Sequence, residues 1–157
     1  MSQLPVENVQ DYPRPPALQR VPHRLRVLLG GETVADTVRA LRVLETHHAP
    51  TYYFPPEDIM ADLVRLKGNS VCEWKGSATY FDVRTEFATA PRAAWSYHDP
   101  RSAFAPLAEY VSFYAGLMET CFVADERVIP QPGDFYGGWV TGNLQGTVKG
   151  ARGTEQW

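Results

Sequence analysis

Three runs between Ser70 and Tyr97, SVCEW, TYFDVRTEF and AAWSY, are crowded with β-branched and aromatic residues and divided only by Gly76 and the Ala90-Pro91 break. Residues of this kind fit a pleated, half-buried surface better than a helix, so the middle of the chain reads as the centre of a sheet. The neighbouring segments agree. RLRVLL runs into Gly30-Gly31 and TVAD resumes an extended pattern, a hairpin signal, while CFVADERVIP predicts a second hairpin around Asp125-Glu126. YVSFY reads as a further strand. The expected class is α+β, mainly β: a compact single domain of antiparallel strands with short helices.

The helices are expected at three places. PEDIMADLVRL, from Pro56 to Leu66, has early acids, a proline near the first turn, and Ile59, Leu63 and Leu66 at helical spacing, with Lys67-Gly68-Asn69 to end it. RSAFAPL offers Ser102 as a cap for a turn or two, interrupted by Pro106. TVRALRVLET, from Thr37 to Thr46, fits a helix or a strand about equally well. Before it, residues 1–22 carry five prolines and few apolar neighbours, which predicts an extended N-terminal arm. Residues 23–136 are read as the β-rich core domain and residues 137–157 as a glycine-rich C-terminal arm too poor in aliphatic side chains to form its own core.

With 157 residues and 44% hydrophobic content, one such domain can bury a core without staples. A net charge of only -3 supplies no global field for a phosphate backbone or an anionic membrane, so neither nucleic acid nor a membrane is an expected partner. Two cysteines, Cys72 and Cys121, do not make a disulfide scaffold. No run approaches the roughly 20 apolar residues of a membrane span, and no apolar signal segment opens the chain; the expected location is the cytoplasm.

The chemistry concentrates in CEWKGSATY, Cys72 to Tyr80. On an extended backbone Cys72 and Trp74 share one face, and Glu73 and Lys75 the other. Lys75 is a base if burial disfavours its charge, an anion-binding cation if a carboxylate stands near, or a strand-end cation laying its stem on Trp74. Cys72 is a nucleophile only beside a histidine or a positive charge, and otherwise an inert thiol. Glu45 closes an apolar run and is a proton carrier if it turns inward. His47-His48 lacks the spacing of zinc ligands, so no metal is expected. Nine aromatics from Tyr52 to Tyr97 fall within 46 residues, mostly as core. Alternation nevertheless puts Trp95 and Tyr97 on one face, and Tyr80 and Asp82 on one face of the neighbouring strand. A wall of Lys75, Tyr80, Trp95 and Tyr97 is an apolar cleft with a few polar tips, the character of a small-molecule site.

The succession GGETVADTVRALRVLETHHAPTYYFPPEDI, CEWKGSATYFDV, AAWSYHDP and YVSFY resembles the domain-of-unknown-function family 427, which also carries a nucleotidyltransferase-like label. The likeness covers about Arg24 to Val128 and rests on the KGxAxY and WxY blocks. It implies a compact β-rich domain with short helices, and it points to Arg39, Glu45, Tyr53, Cys72, Lys75, Tyr80, Trp95 and Tyr97 as recurring polar and aromatic positions. The label's chemistry needs a GS-plus-DxD arrangement, which this sequence lacks.

These readings combine into an expectation of a small-molecule-binding domain, with cofactor-independent, non-redox chemistry of lyase, isomerase or hydrolase type. Lys75, Glu45 and Tyr80 are the candidate catalytic residues. Arg39, Tyr53, Cys72, Trp95 and Tyr97 are the candidate binding residues, with Arg39 helping Lys75 to hold an anionic or carbonyl group. No cofactor fingerprint is present. The alternative is an interaction module without catalysis, whose aromatic face and terminal arms dock a partner or a second copy of the chain.

Overall fold

The computed structural model describes residues 4–72, 75–133, 136–154 and 157. Glu73 and Trp74, whose faces the sequence assigns, lie outside the described residues. Among the described residues the strands are β1 (Glu7–Asn8), β2 (Ala17–Arg20), β3 (Leu25–Leu29), β4 (Glu32–Thr37), β5 (Leu41–Leu44), β6 (Thr51–Tyr53), β7 (Asp62–Cys72), β8 (Gly76–Arg84), β9 (Thr89–Tyr97), β10 (Val111–Phe113), β11 (Thr120–Val123), β12 (Glu126–Arg127), β13 (Ile129–Pro130), β14 (Trp139–Val140) and β15 (Leu144–Gln145). They form two four-stranded antiparallel sheets, in the orders β10-β9-β8-β7 and β12-β11-β3-β4. A three-stranded sheet, β2-β5-β6, and two small ladders, β1-β15 and β13-β14, complete the set. No helix among the described residues is long and apolar enough to cross a membrane.

The expected mainly-β architecture is the one observed, and both predicted hairpins form, β3-β4 and β11-β12. At the first, Gly30 and Gly31 adopt φ of 61° and 79°, the left-handed values that a two-residue hairpin turn requires. The ambiguous Thr37–Thr46 stretch resolves as the end of β4 and then β5, which lies between β2 and β6 with its backbone groups paired on both edges.

The helix expected over 56–66 does not form. Only Pro56–Asp58 turns, as one 3-10 turn, and from Asp62 the chain is β7, paired along its length with β8. Helical spacing of Ile59, Leu63 and Leu66 is a local preference of a few kcal/mol at most, and an eleven-residue strand with a partner outweighs it. The supposed helix stop at Lys67-Gly68 is instead an irregularity where the β7-β8 register shifts between Arg65 and Asn69, opposite Tyr80. Ser102–Leu107 is a kinked 3-10 segment with Pro106 inside it.

Of three apolar clusters among the described residues, the smallest holds Val9, Tyr12 and Leu44, and two larger ones divide the rest of the interior. One packs Leu25, Val27, Val34, Phe54, Phe113, Val123 and Trp139 between the sheets. The other gathers Val43, Tyr53, Ala78, Trp95, Tyr97 and Leu107. Tyr52 and Tyr53, both buried, supply one ring to each, because consecutive strand residues point to opposite faces. The terminal segments are built into this body. β2 pairs with β5, β1 lies parallel to β15, and Trp139 is fully buried. Glu7 anchors the N-terminal segment by receiving two hydrogen bonds, each 3.1 Å, from the Arg42 guanidinium.

Candidate functional site

The second cluster opens into a hollow of about 340 Å³, near the lower end of the usual range for small-molecule sites. Sheet register builds one wall. Tyr80 faces Trp95 across β8-β9, and Ala78 faces Tyr97, so the small side chain at 78 leaves space beside the larger ring. Lys75 sits in the turn that enters β8, where its carbonyl accepts a hydrogen bond from the Arg101 N–H at 3.0 Å. Its Nζ lies 6.0 Å from the centre of the Tyr97 ring. The opposite wall comes from β5 and β6, with Val43 opposite Thr51 and Tyr53 two residues on.

Glu45 and His48 enter from the turn between those strands. The His48 N–H donates to the Glu45 carbonyl at 3.0 Å, and His47 between them adopts φ of 63°, so a tight reversal brings both side chains to the hollow. The C-terminal segment closes the third side with Tyr136, Gly137 and Gly138. A Cβ on Gly137 would stand 2.1 Å from the Trp95 ring, which is why only glycine lets the backbone pass there.

The electrostatics separate donors from acceptors. Burial, followed by the positive charges of Lys149, Arg14 and Lys75, lowers the pKa of His48 to about 4, so the ring is neutral at pH 7. Gln131 fixes its tautomer. Its Oε1 accepts from the Ala49 N–H at 3.1 Å, and its Nε2 donates to the Lys149 carbonyl at 2.8 Å and to His48 Nδ1 at 3.2 Å. His48 therefore keeps its proton on Nε2. Burial raises the phenols of Tyr53 and Tyr97 well above the ordinary range and raises Tyr114 as well, so all three remain hydrogen-bond donors.

The Tyr53 hydroxyl is fully buried and makes no hydrogen bond of normal geometry among the described residues, although Trp95 and Tyr97 bring polar edges near it. Such an orphan costs about 1–3 kcal/mol until an acceptor reaches it. Glu45, whose side chain is 21% exposed, forms a 3.5 Å ion pair with Arg14. The Tyr80 hydroxyl is 2.6 Å from Ser70 Oγ, and the Arg92 guanidinium lies 4.0 Å over its ring.

Of the residues singled out in the sequence, Glu45, Tyr53, Cys72, Lys75, Tyr80, Trp95 and Tyr97 all line this hollow. Arg39 does not. It follows β4 on another face, where Asp58 accepts its Nη2 at 2.9 Å and Thr37 donates to the same carboxylate at 2.7 Å. The role of second anion-holding cation beside Lys75 is thus withdrawn from Arg39. His48, Tyr114 and Tyr136 line the hollow without having been predicted. The sequence around His48 suggests only metal ligation, and among the described residues no group of three His, Cys, Asp or Glu side chains assembles for it.

Comparison with known proteins places this geometry in a family. No curated protein matches the chain. Residues 17–124, more than half of the sequence, match the family model described as a domain of unknown function, DUF427. They contain the strands that carry Glu45, Tyr53, Lys75, Tyr80, Trp95 and Tyr97 or the turns beside them, and on that match the chain belongs to the DUF427 family.

Proposed function

We propose that this chain binds a small organic molecule bearing a carboxylate or polarised carbonyl, and that the aromatic hollow is its site. The observation that carries this reading is convergence: an ammonium, a carboxylate, a neutral imidazole and a buried phenol without a well-formed bond among the described residues meet in one ring-lined concavity. In this reading Lys75 engages the ligand's oxygen, and the Tyr53 hydroxyl donates to the same group. Trp95 and Tyr97 cover the apolar part. Glu45 is the proton acceptor, and His48 presents an Nε2–H donor. Tyr80, held by Ser70, is positioned to give or take a proton at the mouth. An acceptor and donors around one carbonyl suit proton transfer next to it, as in isomerases and lyases, or from a water that attacks it, as in hydrolases.

The rival reading, an interaction module, expects a flat exposed aromatic patch. Trp95 and Tyr97 are only 7% and 4% exposed, which favours an enclosed ligand over a flat partner.

The test is thermal unfolding with benzoate, cinnamate and the uncharged benzyl alcohol, on the wild type and on Lys75→Ala and Lys75→Arg. A carboxylate at 100 times its Kd adds about 2.7 kcal/mol of stability. The two acids should raise Tm and the alcohol should not. Lys75→Ala should lose the response with its circular dichroism unchanged, while Lys75→Arg retains part of it. Equal responses from wild type and Lys75→Ala would remove Lys75 from the site.

A further inference from the structure

A second hollow, of about 650 Å³, adjoins the first, and Ser70, Tyr80, Tyr114, Tyr136 and Gly138 line both. Its remaining walls include Pro91, Ala115, Leu117, Pro130 and Pro132. Among the polar side chains that border it, Gln131 and Ser70 are engaged within the protein. Gln131 spends its amide on Ala49, Lys149 and His48, Ser70 is bonded to the Tyr80 hydroxyl, and the Arg92 guanidinium lies on the Tyr80 ring. Most of the surface that faces the space is aliphatic and aromatic. Leu117, one of its walls, is 49% exposed. The inner hollow, by contrast, gathers the Lys75 ammonium, the Glu45 carboxylate, the His48 imidazole and the Tyr53 phenol.

We infer that the two hollows form one bipartite site for an amphiphilic acid, whose polar head occupies the inner hollow and whose apolar tail of several carbons runs past Tyr80 into the outer one. This rests on the reading of the inner hollow given above and adds the class of ligand: an aryl- or alkyl-tailed acid, longer than a single ring. Tyr80 is the partition. Its hydroxyl is held by Ser70 and its ring face by Arg92, so the passage is shaped by a side chain fixed at both ends. Continuity of the two walls, together with the mostly apolar lining of the outer hollow, makes the tail of the same ligand its occupant.

Calorimetric titration of the full chain with benzoate, 3-phenylpropanoate, 5-phenylpentanoate and 7-phenylheptanoate reads this directly. Each methylene buried against the outer walls should tighten binding by about twofold to fourfold. Leu117→Ser, at a half-exposed position the fold tolerates, should flatten that slope while leaving benzoate affinity unchanged. If benzoate binds and affinity does not rise with tail length, the bipartite site is overturned while the inner site stands. A slope that survives Leu117→Ser unchanged also overturns it. Absence of binding by every acid removes both readings.

Discussion

His48 gives the sharpest test of the electrostatics. In the folded chain it releases its proton near pH 4 instead of near 6.5, mainly because burial penalises the charged ring and then because Lys149, Arg14 and Lys75 repel it. Between those two values the unfolded chain binds a proton that the folded chain does not. Stability from keeping His48 neutral is thus fully present above about pH 6.5 and drains away as pH falls toward about 4. Linkage over that shift predicts a loss of about 2 kcal/mol by pH 5; because part of the ring meets solvent, we expect about 1 kcal/mol. Three carboxylates with lowered pKa values change little between pH 7 and pH 5. For Glu7 burial opposes ionisation, but hydrogen bonds from Arg42 and Tyr12 outweigh it; for Asp36 and Asp58 the bonds from Arg24 and Arg39 dominate. Their contributions fade only below their ordinary values of 4.5 and 3.8. Urea unfolding of wild type and His48→Gln at pH 7, 6 and 5 isolates the imidazole, since glutamine does not titrate. The wild type should lose about 1 kcal/mol more than the variant between pH 7 and pH 5. Parallel curves for the two proteins, or an imidazole titrating near its unperturbed value by NMR, would refute the argument.

Gly137→Ala sets a methyl against the Trp95 ring, and overpacking of this kind costs about 1–3 kcal/mol; a variant with unchanged Tm and unchanged tryptophan emission would mean that the close approach is not there. Glu7→Gln leaves the Arg42 guanidinium, 16% exposed, with a weaker partner, and should lower stability by about 1–2 kcal/mol in urea while making the N-terminal segment easier to proteolyse. Trp139→Phe removes the 3.0 Å hydrogen bond from its indole to the Phe113 carbonyl and shrinks a fully buried ring, so calorimetry should register a loss of at least about 2 kcal/mol.

What the sequence made legible is what depends on short-range alternation. Trp95 and Tyr97 share a face because they are two residues apart on one strand, and Tyr80 joins them because β8 and β9 are consecutive and register follows a short connection. The illegible parts depend on distant pairings. Residues 62–66 are strand because β8 is there to pair with them, not because their own spacing says so. Arg39 looks like a site cation until Asp58, nineteen residues on, takes its charge. His48 acquires its neutral state and tautomer from Gln131 and Lys149, which no local pattern around Glu45-Thr46-His47-His48 announces.

The two clusters on either side of β6 divide the work between stability and function. Around Tyr52, the rings of Phe54, Phe113 and Trp139 pack at centroid distances of 5.3 to 5.9 Å, and the indole N–H of Trp139 is satisfied by Phe113. On that side the buried indole finds its partner within the core, as a stabilising core should provide. Around Tyr53 the rings are as many, but one buried phenol lacks a well-formed bond and charged groups border the space. A chain selected for packing alone has little reason to keep such a group, because replacing its hydroxyl by hydrogen removes the desolvation cost. The segment after residue 124, beyond the family match, touches both sides at once: Trp139 completes the core around Tyr52, and Gly137 and Gly138, immediately before it, close the hollow. Anchoring the indole therefore fixes the position of the glycine wall, and the shape of the candidate site is set by the same contact that secures the core.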